Sequence, residues 1–153
     1  MKSLEDMVEV IKKYKRTIRF IDIYLRPPDN NFKYYHHDIH IWFTKETMID
    51  GELYGSLYKH GFRCKKSNAK ETVDNFVEKL RVLGFDFLQS MRSYDYCTLF
   101  KPSKIEDIYL DHNDRYITIL KPGRAKFGIS KEDSDLFKQS LENHERYDLL
   151  LKL

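Results

Sequence analysis

Three polar residues alternate with apolar ones in the segment KYYHHDIHIWF, which spans residues 33–43. They are His36, Asp38 and His40. Imidazole and carboxylate groups bind transition metals and also act as general acids and bases, so this row has the residue types for chemistry. Alternate side chains of a β-strand point to the same face, and the intervening isoleucines then take the other. The segment is predicted to be a strand with one polar face and one core face.

The same row includes Tyr34 at one end and Trp42 at the other. Metal ligands must converge to about 2 Å from one ion, whereas alternate strand residues are about 6.6 Å apart and the outer two about 13 Å. Two neighbours of the row could therefore share a metal, with further ligands from another strand near Asp111, His112 and Asp114. A metal-dependent hydrolase that uses His36, Asp38 and His40 is one hypothesis. A solvated polar row with cross-strand charge pairs is the simpler alternative.

Other catalytic signatures are missing from the sequence. The P-loop, G-x-S-x-G, the dinucleotide fingerprint, H-E-x-x-H and the paired-cysteine zinc motif of deaminases do not occur. Cys64 or Cys97 with a histidine could form a nucleophilic pair, but a cysteine within a strand is more often a small buried hydrophobe. The sequence therefore predicts no cofactor and favours a non-enzymatic role.

Composition indicates an ordinary globular protein. The 153 residues are 41% hydrophobic and 33% charged, which predicts a single domain over residues 1–153. No apolar run approaches the roughly 20 residues of a membrane helix. Glu5 and Asp6 interrupt any apolar core of a signal peptide, and the two cysteines form no C-x-x-C pair. We therefore expect a cytoplasmic protein with reduced thiols.

Charge is unevenly distributed although the net charge is only +3. Two runs are basic and one stretch is acidic: Lys12, Lys13, Lys15, Arg16 and Arg19; Lys59, Arg63, Lys65, Lys66 and Lys70; and Glu106, Asp107, Asp111 and Asp114. Alternating charge for solubility explains this pattern most simply. A nucleic-acid-binding domain that uses the basic runs is a further alternative, although the signature of RNA-recognition modules is missing.

Helix signals occur at three places. Ser3 and Asp6 form a candidate capping box before an apolar stripe that ends near Tyr14, and Asn68 with Glu71 forms another before a helix that ends at Gly84. A third helix follows candidate caps at Ser130 and Asp133, and YDLLLKL is expected to form a further turn or to lie along the sheet.

Strand signals fill most of the remaining sequence. Residues 17–26 and 33–43 are predicted strands, and the pair Asp50-Gly51 predicts a chain reversal into ELYGSLY and GFRCKK. FDFLQSM, YDYCTLF, IEDIYL and RYITIL, joined by short connections, are predicted to form an antiparallel meander. The predicted fold is α+β, a twisted and mostly antiparallel sheet with about three helices packed mainly on one face.

The absence of catalytic motifs and the abundance of tyrosine favour a protein whose surface is its function. We predict a cytoplasmic protein-binding module, most specifically a stoichiometric inhibitor of a nuclease or toxin, of the anti-CRISPR or immunity-protein type. Its partner would be a protein, with direct nucleic-acid binding as the lesser alternative and no membrane contact. The predicted partner-binding residues are Tyr34, His36, Asp38, His40, Trp42, Lys65 and Lys66. Trp42 is predicted to be the anchor on the partner-facing surface.

Overall fold

A computed structural model describes residues 3–25, 34–87, 96–121, 125–129 and 133–153. The described helices are α1 (Leu4–Tyr14), α2 (Ala69–Val82), α3 (Ser134–Asn143) and α4 (Tyr147–Leu150). The described strands are β1 (Ile18–Leu25), β2 (Tyr34–Phe43), β3 (Thr47–Ile49), β4 (Glu52–Tyr54), β5 (Leu57–Lys65), β6 (Asp86–Phe87), β7 (Tyr96–Phe100), β8 (Ile105–Leu110), β9 (Tyr116–Leu120) and β10 (Ala125–Ile129). No helix in these ranges is long and apolar enough to span a membrane.

The central element is a five-stranded antiparallel sheet with the order β5-β2-β1-β7-β6. Its inner face carries Ile21 and Ile23 of β1 and Ile39 and Ile41 of β2, all of which are buried. Helices α1 and α2 supply Met7, Ile11, Val73, Phe76, Val77 and Leu80 to the same core. The isoleucines of the opening segment therefore take the core side, as the alternation predicts.

Three local sequence signals mark the ends of helices and strands around this core. The capping box between Ser3 and Asp6 is present and starts α1 at Leu4. Asp50 and Gly51 both have positive φ angles, 51° and 81°, and connect β3 to β4 as the Asp-Gly pair predicts. Gly84, with φ of 97°, follows the end of α2.

A second core lies under the three-stranded sheet β10-β9-β8. It combines Ile105, Ile108, Leu120 and Ile129 of this sheet with Phe137, Leu141 and Leu149 of α3 and α4. The two layers meet at Phe127, whose ring centroid is 4.8 Å from that of Phe20 and 5.4 Å from that of Phe100. The second sheet therefore packs beside one end of the outer face of the first.

The α+β class with antiparallel sheets is confirmed, but its layout differs from the predicted one. The four helices are divided between two cores rather than packed mainly on one face. The predicted meander is also divided, because β6 and β7 join the first sheet while β8 and β9 join the second. The third strand of the second sheet, β10, was not predicted.

Two of the predicted helix caps precede their helices but make no capping hydrogen bond. Asn68 precedes α2 but its side chain makes no capping hydrogen bond, because a 3₁₀ turn at Lys66–Asn68 leads into the helix. Asp133 precedes α3, also without a side-chain cap bond. Ser130, most of FDFLQSM after Phe87, and the first part of YDYCTLF lie outside the described residues. YDLLLKL forms the short helix α4, which is one of its two predicted arrangements.

Candidate functional site

The outer face of the five-stranded sheet is the side opposite α1 and α2. Strand register assigns it Phe20, Asp22 and Tyr24 of β1, Tyr34, His36, Asp38, His40 and Trp42 of β2, Leu57, Lys59, Gly61, Arg63 and Lys65 of β5, and Thr98 and Phe100 of β7. His36 and Lys59 are exposed, whereas Asp38, His40 and Trp42 are half-buried. The predicted polar row is therefore a row of partly accessible side chains on one face.

A buried carboxylate organises the centre of this face. Asp22 is only 4% exposed, although it lies on the outer side of β1. Its Oδ1 accepts a hydrogen bond of 2.9 Å from the Thr98 hydroxyl. Its Oδ2 accepts bonds of 3.0 Å from the Trp42 indole N–H and 3.2 Å from the Tyr24 hydroxyl. One carboxylate thus links β1 to β2 and to β7 through side chains.

Trp42 is fixed in orientation by two contacts. Its ring stacks on Phe20, with centroids 5.6 Å apart and an interplanar angle of 27°. Its N–H is held by Asp22. Phe20 in turn packs against the second core, so the indole rests on a supported ring. Trp42 is on the predicted face, but it is half-buried rather than freely exposed, because its ring packs on Phe20 and its N–H bonds the buried Asp22.

His40 and Tyr24 form a second aromatic contact on the outer face, beside Trp42 and Asp22. Their ring centroids are 4.8 Å apart with the planes tilted by 53°. His40 is directly opposite Asp22 on one side and Lys59 on the other in the strand register. His40 therefore lies between the buried carboxyl group of Asp22 and the exposed ammonium group of Lys59, and Tyr24 packs against its ring.

The far end of the row is more exposed and more basic. His36 lies opposite Arg63, whose guanidinium lies 4.5 Å from the centroid of the Tyr34 ring. Lys65, opposite Tyr34, is exposed on the same face. Lys66 departs from the predicted set, because its ammonium lies 5.4 Å from the ring of Tyr35, a residue of the opposite face. Six of the seven predicted binding residues thus share the outer face.

Desolvation and hydrogen bonding oppose each other at Asp22. Burial raises the pKa of its carboxyl above the ordinary value of 3.8, while the bonds from Thr98, Trp42 and Tyr24 and the nearby His40 lower this pKa in part. Burial has the larger effect. The carboxylate is therefore a costly group that is retained with nearly complete hydrogen bonding.

The alternative chemical interpretations gain little from this geometry. In the part of the chain that the structure describes, no three His, Cys, Asp or Glu side chains are grouped so that they could hold a metal ion. The row His36, Asp38 and His40 thus gains no support as a metal site. Cys64 is a free thiol whose Sγ lies 3.9 Å from Nδ1 of His37, and burial raises its pKa. A raised pKa disfavours the thiolate that a nucleophile requires.

Sequence reasoning missed Asp22, Tyr24 and Thr98. A signal for the first two was present, since Asp22 alternates with Phe20 and Tyr24 in β1 while the isoleucines take the other face. Thr98 is 76 residues away in the chain, and no local pattern identifies it.

No protein-family model, no curated protein and no solved structure matches this chain.

Proposed function

We propose that this protein acts by binding another protein through the outer face of the five-stranded sheet. The single observation that carries the proposal is the fixed, half-exposed Trp42, which is stacked on Phe20 and bonded to the buried Asp22. Interface hot spots favour tryptophan and tyrosine, and a side chain that is already ordered loses little entropy on binding. The ring is therefore prepared as an anchor before any partner arrives.

The surroundings of Trp42 support the same proposal. Tyr24 and His40 extend the aromatic surface, and Lys59 and His36 provide exposed polar groups at its margin. A protein interface typically has an aromatic centre and a polar rim. The outer face offers this arrangement along β1, β2 and β5.

The specific form of the proposal is a stoichiometric inhibitor of a nuclease or toxin. It rests on the small size of the chain and its mixed charge rather than on any contact. A tightly bound protein that covers an active site needs only a preorganised surface, and the outer face supplies one. The expected activity is a loss of the partner enzyme's turnover at an equimolar ratio.

Affinity capture from the organism that encodes the protein tests the proposal with a matched pair of variants. The double variant His36→Glu with Lys59→Glu changes two exposed residues of the outer face. The control, His112→Glu with Lys138→Glu, makes the same changes at exposed positions of the β8–β9 connection and α3. We expect a stoichiometric partner that the wild type and the control retain and the face variant loses.

Two results would contradict this. Capture of the same proteins by both double variants would show that the outer face is not the binding surface. A partner that is neither a nuclease nor a toxin, or whose enzymatic activity is unchanged at an equimolar ratio, would refute the inhibitor form while leaving protein binding intact.

A further inference from the structure

We propose that Lys15, Arg16, Lys101 and Lys104 form a binding site for the phosphate backbone of a nucleic acid. This site is separate from the outer-face residues that carry the proposed protein binding, and it does not rest on them. Two of its residues belong to the first basic run of the sequence, whereas the other two come from the 3₁₀ turn at Pro102–Lys104 and the residue before it.

The fold brings these two segments together at the start of β1. The Lys101 ammonium donates a hydrogen bond to the backbone carbonyl of Lys15, 86 residues away in the chain. The same ammonium lies 5.1 Å from the centroid of the Phe85 ring, which is buried. Lys101 is therefore held in place against the segment that carries Lys15 and Arg16.

The cluster is short of negative charge. Elsewhere lysines and arginines pair with carboxylates, as in Lys70 with Asp74 and Lys152 with Asp107. Within the ranges that the structure describes, none of the four clustered cations forms an ion pair with a carboxylate. Like charges that are held together without counter-charges favour the binding of an anion.

Adjoining elements do not neutralise this charge. Arg146 contacts the carbonyl of Pro102 at 2.7 Å, and its own charge is balanced by Asp148. Asp86, next to Phe85, pairs with Arg81 at 3.1 Å and also faces His144 at 3.8 Å. From the second sheet, the backbone N–H of Lys121 bonds the carbonyl of Lys104 at 2.9 Å, which adds another exposed cation beside the cluster.

The same imbalance of charge acts on the pKa of Lys101. Burial first, and then the charges of Lys104, Lys15 and Arg16, lower its pKa from 10.5 to about 8. A bound phosphate would offset this repulsion and raise the pKa of the ammonium again. Anion binding should therefore weaken as Lys101 loses its proton above about pH 8.

A nucleic-acid backbone fits this site better than an acidic peptide does. The cations come from two segments, the α1–β1 connection and the 3₁₀ turn with the residue before it, so they repeat positive charge at one place. The aromatic ring that Lys101 contacts, Phe85, is buried and unavailable for contact with a ligand. A phosphate chain needs only such repeated charge, whereas a peptide normally requires apolar contacts as well.

The Lys65 end of the second predicted basic run does not belong to this site. Lys65 pairs with Tyr34 at one end of the sheet, while Ile18 pairs with Phe43 at the other. Strand rise over the length of β2 separates these ends by about 30 Å. The site thus uses part of one run together with residues that the sequence did not indicate.

Fluorescence anisotropy with a labelled oligothymidylate of about 20 nucleotides tests the proposal. Four phosphate contacts on a single strand predict a salt dependence with a slope of about −3 in log affinity against log salt. The variant Lys101→Met should reduce this slope by about 0.7 and the affinity about fivefold near 0.1 M salt. The control Lys138→Met, an exposed lysine of α3, should change neither.

The pH dependence separates this site from the general basic surface. The slope for the wild type should fall by about 0.7 between about pH 7 and about pH 9, because Lys101 loses its proton in this range, and Lys101→Met should not show this fall. If Lys101→Met fails to fold, Arg16→Gln at an exposed position of the cluster should give the same loss of slope at neutral pH.

Three results would overturn the proposal. The first is no salt-dependent binding of the oligonucleotide by the wild type. The second is equal binding by Lys101→Met and the wild type at neutral pH. The third is poly-glutamate binding as tight as that of the oligonucleotide and lost in the same variant, which would assign the site to acidic protein segments instead.

Discussion

Replacement of Asp22 by asparagine and by alanine should have very different effects on stability. Asparagine keeps an acceptor for the Trp42 and Tyr24 donors, and its amide can donate to the Thr98 hydroxyl in place of the bond that Thr98 now donates. It also removes a buried charge. We expect a free energy of unfolding within about 1 kcal/mol of the wild-type value at neutral pH, with any change in the stabilising direction.

Alanine removes the acceptor for all three donors. Tyr24 and Trp42 are half-buried and can find water, but the Thr98 side chain is fully buried and its hydroxyl loses the carboxylate to which it donates. Loss of the acceptor of a buried donor costs about 1–3 kcal/mol, and the two half-buried donors add less. We therefore expect Asp22→Ala to lower the free energy of unfolding by about 2–3 kcal/mol.

The raised pKa of Asp22 makes the free energy of unfolding depend on pH. Since burial raises the folded-state pKa of Asp22 above 3.8, the folded protein holds this proton when the unfolded chain has lost it. Its contribution to stability is complete below the unfolded pKa and is lost as the pH rises through the folded pKa. Asp22→Asn should abolish this loss.

Urea unfolding measured between about pH 4 and pH 8 provides the assay, with far-ultraviolet circular dichroism and the fluorescence of the single tryptophan as two probes. The difference in stability between Asp22→Asn and the wild type should grow in favour of the variant with rising pH. A loss of about 2 kcal/mol or more in Asp22→Asn at neutral pH would refute the reasoning, because it would show that the charge itself stabilises the site.

Three further predictions concern other parts of the molecule. Trp42→Ala should lower the free energy of unfolding by about 2 kcal/mol, which is less than the loss of a fully buried tryptophan would cost, because the ring is half-buried on Phe20. Iodide should quench the tryptophan fluorescence of the wild type only partly. Full quenching, together with no loss of stability in the variant, would contradict this prediction. Wild-type stability should rise with pH from about 8 to about 10, where Lys101 is neutral only when folded, and Lys101→Met should lack this rise in the same urea titration. In a Cys97→Ser background, Cys64 should react with iodoacetamide more slowly than a model thiol at about pH 8, since burial raises its pKa; reaction at the model rate would contradict this.

Local patterns in the sequence predict local structure well. The Ser3 capping box, the Asp50-Gly51 turn and the alternation that buries Ile39 and Ile41 all depend on residues within a few positions of one another. Such short-range physics decides where a helix starts, how a hairpin turns and which face of a strand is apolar. The α+β class and the face that carries the polar row follow from it.

The features that the sequence does not predict depend on contacts between residues that are far apart in the chain. Thr98 reaches Asp22 across 76 residues, and Lys101 reaches Lys15 across 86. β10 lacked a strong strand signal because AKFGI contains a glycine and only two large apolar residues, and its pairing with β9 compensates. Asn68 failed as a cap since the backbone before it entered a 3₁₀ turn.

The division into two sheets also exceeds local information. IEDIYL and YDYCTLF have similar strand patterns, yet they join different sheets, and the second sheet meets the end of the first where Phe127 packs against Phe20 and Phe100. Phe20 contacts Phe127 on one side and stacks on Trp42 on the other, so the second sheet supports the ring on which Trp42 packs. The fixed position of Trp42 on the outer face therefore arises from tertiary structure.

Site-specific photo-crosslinking in the organism that encodes the protein tests the central claim most directly. A benzophenone side chain would replace His36 or Lys59 on the outer face, and His112 or Lys138 as controls, all four being exposed. Protein binding through the outer face predicts a discrete crosslinked product with one other protein from positions 36 and 59 and none from positions 112 and 138. Crosslinking to a protein from the control positions alone, or no product from the outer face, would contradict it.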